Sequence, residues 1–193
     1  MTVPTTTLTS ASLDDAADLA ARMLAALGVD LSDPELEATP GRMVRALKEM
    51  TTPPGFTATD FEATAEPGQL VLVRDIRFVS VCEHHVLPFT GVAHIGYVPR
   101  KRILGLSKVA RVVHHCARRL QVQERLTGQI ADWLVDYLDP AGAGVLLSAE
   151  HTCMTLRGVG ATGSRTTTSA LRGVLLDDAA ARAEFVSLAV SAS

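Results

Sequence analysis

Two short clusters hold the side chains best suited to gripping a metal. Cys82, His84 and His85 fall in the run CEHH, and His151 and Cys153 in EHTC. Cys82 and His85 have a Cys-x-x-His spacing directly after LVLVRDIRFVSV, a branched run that predicts a strand. Over residues 145–157 a second strand is expected, and its alternation puts His151, Cys153, Thr155 and Arg157 on one face. If the two strands meet, Cys82, His85 and Cys153 supply two thiolates and an imidazole, the donor set zinc prefers. Three protein ligands leave a position for water or substrate, whereas a fourth closes the site and makes it structural. Cys116 is the alternative fourth ligand, but it sits in a helical run beside Val113 and Ala117, where a small buried thiol is the commoner fate. His84 and His151 can line the open position as acid and base. His94, His114 and His115 read as structural.

Basic residues give the second signal. Lys108 and Arg111 follow Ser107 at the start of a predicted helix, whose free N–H groups and positive dipole end favour an anion. Arg42 and Arg45 share a face of an earlier helix, and Arg157 lies on the Cys153 strand face; both can add to that site. GLSK is not a phosphate loop, because the Gly-rich stretch is missing. Gln123 and Glu124 fall where one helical run breaks and another begins. A carboxylate there caps the following helix or accepts two N–H groups from a purine edge. The residues alone therefore describe a zinc hydrolase acting on a polyanion.

The elements that must position them follow from periodicity. Residues 12–27 carry apolar side chains at helical spacing, with Ser12 and Asp15 placed for a capping box, and Thr39-Pro40 reads as cap and first residue of a second helix. Residues 51–68, rich in turn formers, read as an exposed connection. The strand before CEHH and a return strand VAHIGYV form an antiparallel pair; helices are expected over 106–120 and 122–138. Two more strands, 144–159 and 166–176, precede a short helix through Ala180 to Val190. This order favours α+β over an alternating parallel sheet.

The chain has 193 residues, 47% hydrophobic and 20% charged, with a formal charge of −3. That suits one globular domain, residues 39–193, with an N-terminal helical arm, residues 1–38. The near-neutral balance gives no general attraction to nucleic acid. No run approaches the ~18 apolar residues of a spanning helix, the N-terminus lacks a signal-peptide pattern, and three cysteines make no disulfide framework. A cytoplasmic location is expected.

CEHH at 82–85, GLSKVAR at 105–111, RRLQVQERLT at 118–127, EHTCMTLRGV at 150–159 and TTTS at 166–169 together resemble GTP cyclohydrolase I, over roughly residues 39–188. The resemblance implies a T-fold: an antiparallel sheet with helices on one side, assembled by subunits into a β barrel, as a decamer of two pentamers with active sites between subunits. It implies conversion of GTP and water to 7,8-dihydroneopterin triphosphate and formate. Cys82, His85 and Cys153 would hold one zinc ion per subunit, and His84 and His151 would be catalytic, with Ser107 as a proton relay. Glu124, helped by Gln123, would anchor the guanine; Lys108, Arg111, Arg157, Arg42 and Arg45 would hold the triphosphate. The chain departs from the family pattern at PGQL before the strand leading to CEHH and at Val92, where a Lys is frequent. A non-catalytic zinc or nucleotide-binding module, and a nicotinamide-dependent T-fold enzyme acting on a deazaguanine nitrile, are the alternatives.

Overall fold

The branched run before CEHH does form a long strand, and the chain reverses through the CEHH loop to pair with itself. A computed structural model describes residues 2–3, 10–63 and 68–191; residues 4–9 of the N-terminal arm and 64–67 of the long connection lie outside that description. The elements are β1 (Thr2–Val3), α1 (Ser10–Ala26), α2 (Thr39–Thr51), β2 (Phe56–Thr57), β3 (Asp60–Glu62), β4 (Val71–Cys82), β5 (Pro88–Val98), β6 (Arg102–Leu104), α3 (Leu106–Ala117), β7 (Leu120–Gln121), α4 (Gln123–Leu138), β8 (Gly142–His151), α5 (Thr152–Thr155), β9 (Thr166–Gly173), α6 (Val174–Asp177) and α7 (Ala179–Val190). The class is mixed α+β.

The main sheet has the order β7-β4-β5-β8-β9. Its long pairs are antiparallel, and only the two-residue β7 runs parallel to β4, through Val81↔Leu120 and Cys82↔Gln121. A bulge between Val73 and Ile76, with Asp75 at φ 58°, shifts the β4 register. Beyond it Ile76, Phe78 and Ser80 are buried while Arg77 and Val79 are exposed. The buried side meets α3 and α4, whose Val113, Leu126, Ile130 and Leu134 are wholly buried. Each such side chain contributes about 1.5–3 kcal/mol of burial. A second, smaller core lies over the far end of the opposite face, where Phe185 of α7 and Leu175 cover Val98.

Several boundaries differ from the sequence expectation. The first helix begins at Ser10, so Ser12 lies inside it rather than capping it, and the second begins at Thr39 with Ala38 as its cap residue. The third ends at Ala117, three residues early. The connection over 51–68 is not merely exposed loop: it contributes β2 and β3, and buries Phe56 and Ala58 in the main core. Phe56 packs against the rings of His115 and Trp133, a long-range contact that local turn chemistry does not encode.

Candidate metal centre and active site

Cys82 closes β4, and its backbone N–H donates to Leu87 O at 2.8 Å while Val86 N–H donates back to Cys82 O at 2.9 Å. The tight turn so made carries His84 and His85, and holds the β-branched Val86 at φ 55°. A branched residue in the left-handed region costs of order 1–3 kcal/mol and persists only where its surroundings enforce it. Two links do so. Glu83 N–H donates to Gln121 O at 3.0 Å, and the Glu83 carboxylate pairs with Arg125, whose Nε also donates to Gln121 Oε1 at 2.9 Å. Hydrogen bonding from Arg125 holds the Glu83 carboxyl below its usual range.

The expected strand through residues 145–157 is half right. β8 stops at His151, and Thr152–Thr155 turn into α5, closed by Leu156 N–H donating to Thr152 O at 3.1 Å. The Thr152 hydroxyl donates to Pro88 O at 2.6 Å and fixes that turn to the start of β5. His151, Cys153, Thr155 and Arg157 therefore do not share a strand face: Thr155 is buried, and Arg157 is exposed beyond the turn. The helical turn nevertheless brings the expected donors together. Ligand atoms of Cys82, His85 and Cys153 all lie within 4.8 Å of one another, with Cys82 Sγ and His85 Nδ1 3.9 Å apart. Burial and the neighbouring Cys82 thiol both push the Cys153 thiol up. Two thiols and an imidazole at this separation are a set that one divalent cation satisfies. Cys116 is not of this group: it is buried on α3, and burial pushes its thiol up to about 11.

His151 lies beside the donors in a socket of its own. Its ring stacks on Phe89 with centroids 4.5 Å apart and planes 8° from parallel. Its Nε2 lies 2.8 Å from Gln123 Oε1. The Gln123 amide is oriented by its other end, because Nε2 donates to Thr166 O at 2.9 Å and Thr168 Oγ1 at 3.0 Å. Oε1 must then accept, so His151 carries its proton on Nε2 and leaves Nδ1 unprotonated. Burial lowers the His151 pKa, opposed by the Glu124 carboxylate.

The other expected site residues are distributed as follows. His84 is exposed, with Nε2 3.8 Å from Glu83 Oε1 and its ring edge-on to His85 at 6.4 Å. Glu124 is exposed on the first turn of α4, next to the buried Gln123. Arg157 acts electrostatically on Cys153. Ser107, Lys108 and Arg111 occupy the start of α3, and exposed Arg42 and Arg45 lie on α2. Among the described residues, no hydrogen bond or ion pair joins these five to Cys82, His85 or Cys153. Phe89, Glu83 and Arg125 were not singled out by sequence; Glu83 inside CEHH and Arg125 inside QVQERL were the available signals, whereas Phe89 looked like any core aromatic.

An α+β chain with an antiparallel sheet, a helical layer and, among the described residues, three donors that could hold a metal ion beside two further histidines has the make-up of an enzyme with an open metal site. The GTP cyclohydrolase I family profile matches residues 16–190. The chain is 48% identical over 191 residues to GTP cyclohydrolase 1 of Mycolicibacterium vanbaalenii, covering 94% of each chain. It is 48% identical over 165 residues to that of Aquifex aeolicus, covering 86% of this chain and 90% of the relative. A solved structure, the apo form of an archaeosine synthase QueF-Like, matches with TM-score 0.45 and 16% identity over 56% of this chain and 97% of its own, too slight a likeness to build on. The chain belongs to the GTP cyclohydrolase I family and is an enzyme of that family.

Proposed function

We propose that the protein opens the imidazole ring of GTP at a zinc ion held by Cys82, His85 and Cys153, releasing formate and forming 7,8-dihydroneopterin triphosphate. The observation that carries this is the convergence of those three donors within 4.8 Å, beside a histidine whose tautomer is fixed. Zinc there would supply a water activated for attack near neutral pH. His151, protonated on Nε2, offers Nδ1 as the proton acceptor, and exposed His84 is free to serve as its counterpart on the solvent side. Glu124, exposed and adjacent to Gln123, accepts N–H groups of the guanine edge. Lys108, Arg111 and Arg157, with Arg42 and Arg45, hold the triphosphate, orienting the purine; Ser107 relays a proton during the later ribose rearrangement.

The assembly reading is a homo-oligomeric barrel, up to a decamer of two pentamers. Supporting it are the outer edge of β9 and the edge of β4 turned away from β5 over residues 76–80, neither of which meets another strand among the described residues, and exposed Leu156 and Val159 just past the metal group. Residues 1–38 form the arm of that assembly, and the enzyme works in the cytoplasm. No helix of the described residues is long and apolar enough to cross a membrane. The test is quantification of formate and fluorescent oxidised pterin from GTP, with metal analysis of the same sample. GTP turnover with about one zinc per chain supports the reading; a metal-loaded protein that yields no formate sinks it.

A further inference from the structure

We infer that a second anion site, for a small phosphate-bearing molecule, lies at the β4 side of the sheet, where the C-terminal end of α3 meets the strand face turned away from the core. A cavity of about 460 Å³ is lined there by Arg77, Arg118, Arg165 and His114, over Thr90 and Val92 of β5. Arg77 and Val92 in its lining are register partners, and Val92 in turn pairs with Ser148, which holds Arg165. Arg77 and Val79 alternate with the buried Phe78 and Ser80, so Arg77 faces away from the core side, to which Phe89 and Cys82 belong. Cys82 is also five positions along β4 from Arg77, about 16 Å of strand. The cavity is thus distinct from the metal group.

Three guanidiniums line one cavity with no carboxylate among its lining residues, in a chain whose overall charge is −3. The ion pairs of the described residues are Arg102–Asp60, Arg125–Glu83, Arg172–Asp132 and His84–Glu83; none involves these arginines. Arg118 and His114 sit at the C-terminal end of α3, whose dipole offsets about half a charge. The remainder calls for an anion. Arg165 is held in place, Nε donating to Ser148 Oγ at 3.1 Å and Nη2 to Ser148 O at 2.9 Å, which leaves its Nη1 donors uncommitted. His114 donates Nε2–H to Arg77 O at 3.0 Å and so ties the helix end to the strand that carries Arg77. Fixed guanidinium forks match phosphate oxygens in pairs, and the volume admits a diphosphate with a small organic group.

Calorimetric titration of the intact protein with inorganic pyrophosphate tests this. A saturable site is expected that is retained in Arg111→Gln, which removes a proposed triphosphate contact, and weakened at least tenfold in both Arg77→Gln and Arg165→Gln. No saturable binding, or binding lost in Arg111→Gln and unchanged in Arg77→Gln, overturns the inference. If Arg165→Gln fails to fold, Arg118→Gln takes its place with the same expectation. GTP turnover by Arg77→Gln should equal that of the parent, so a failure here and a failure of the proposed reaction are read separately.

Discussion

His151 donates its Nε2 proton to Gln123 Oε1 at 2.8 Å, and Gln123 is 1% exposed. The same amide donates to Thr166 and Thr168, while Thr127 Oγ1 closes a loop by donating to Gln123 O at 2.6 Å and meeting Thr168 Oγ1 at 2.6 Å. The amide N–H groups are taken up inside the fold and Oε1 accepts from His151, which supports a role for Gln123 in positioning His151. Gln123→Met keeps the volume and removes the acceptor. The expected result is a kcat about tenfold lower with KM for GTP and zinc content unchanged, since losing one hydrogen bond of ~1.4 kcal/mol in the transition state is a factor of ten. A raised KM with unchanged kcat would make Gln123 a purine contact instead.

The metal donors and the flanking histidines should separate cleanly. Cys153→Ala and His85→Ala are expected to lose zinc and turnover together, because two ligands hold the ion poorly. His84→Ala should retain zinc, measured on the same preparation, while its turnover falls by roughly 10²–10⁴-fold. Zinc loss in His84→Ala would put that exposed ring among the ligands.

The donor set was legible because each cysteine stands next to a histidine at ligand spacing, and a motif survives an error in the element that carries it. Cys153 shows how. The alternation over 145–157 reads as one continuing strand, yet β8 stops at His151 and a helical turn follows, with Thr152 hydrogen-bonded to Pro88, 64 positions away. The surroundings of Gln123 were not legible for a similar reason: adjacent to Glu124 in sequence, it reads as a second ligand-facing polar residue, and only the β8–β9 pairing shows the carbonyls that its amide meets. The buried Phe56 in a turn-rich connection was equally invisible, because its partners are His115 and Trp133 on two other elements.

Gly96 and Gly144 are register partners on β5 and β8, and the Phe185 ring fills the space above both. A Cβ on Gly144 would stand 2.9 Å from Phe185 Cε1, and on Gly96 2.7 Å from Phe185 Cδ2. The fully buried ring has no room to yield. Gly144→Ala should destabilise the protein by about 1–3 kcal/mol, seen as a lower urea midpoint. Trimming the ring in the double variant Gly144→Ala/Phe185→Leu should cost less than the sum of the two single changes; strict additivity would show that α7 does not rest on these glycines.

His115 ties α3 to the connection before β2 in one protonation state only. Arg119 Nη2 donates to His115 Nε2 at 2.9 Å, and an arginine cannot accept, so Nε2 must be bare. The proton is on Nδ1, which donates to Pro54 O at 3.0 Å. Burial, the largest influence, lowers the His115 pKa, and the Arg119 charge adds to it against the opposing Pro54 hydrogen bond. An imidazole whose folded value lies below its unfolded ~6.5 binds more protons when the chain unfolds, so its contribution to stability is full above ~6.5 and is lost as pH falls toward the folded value. His94 is also lowered by burial and adds in the same direction. Comparing urea midpoints of the parent and His115→Gln at about pH 7.5, 6.5 and 5.5 isolates the His115 part. The gap between them should narrow on acidification, because the glutamine keeps a donor and an acceptor yet does not titrate. A gap that stays constant over that range would mean the ring is not held neutral by Arg119 and Pro54.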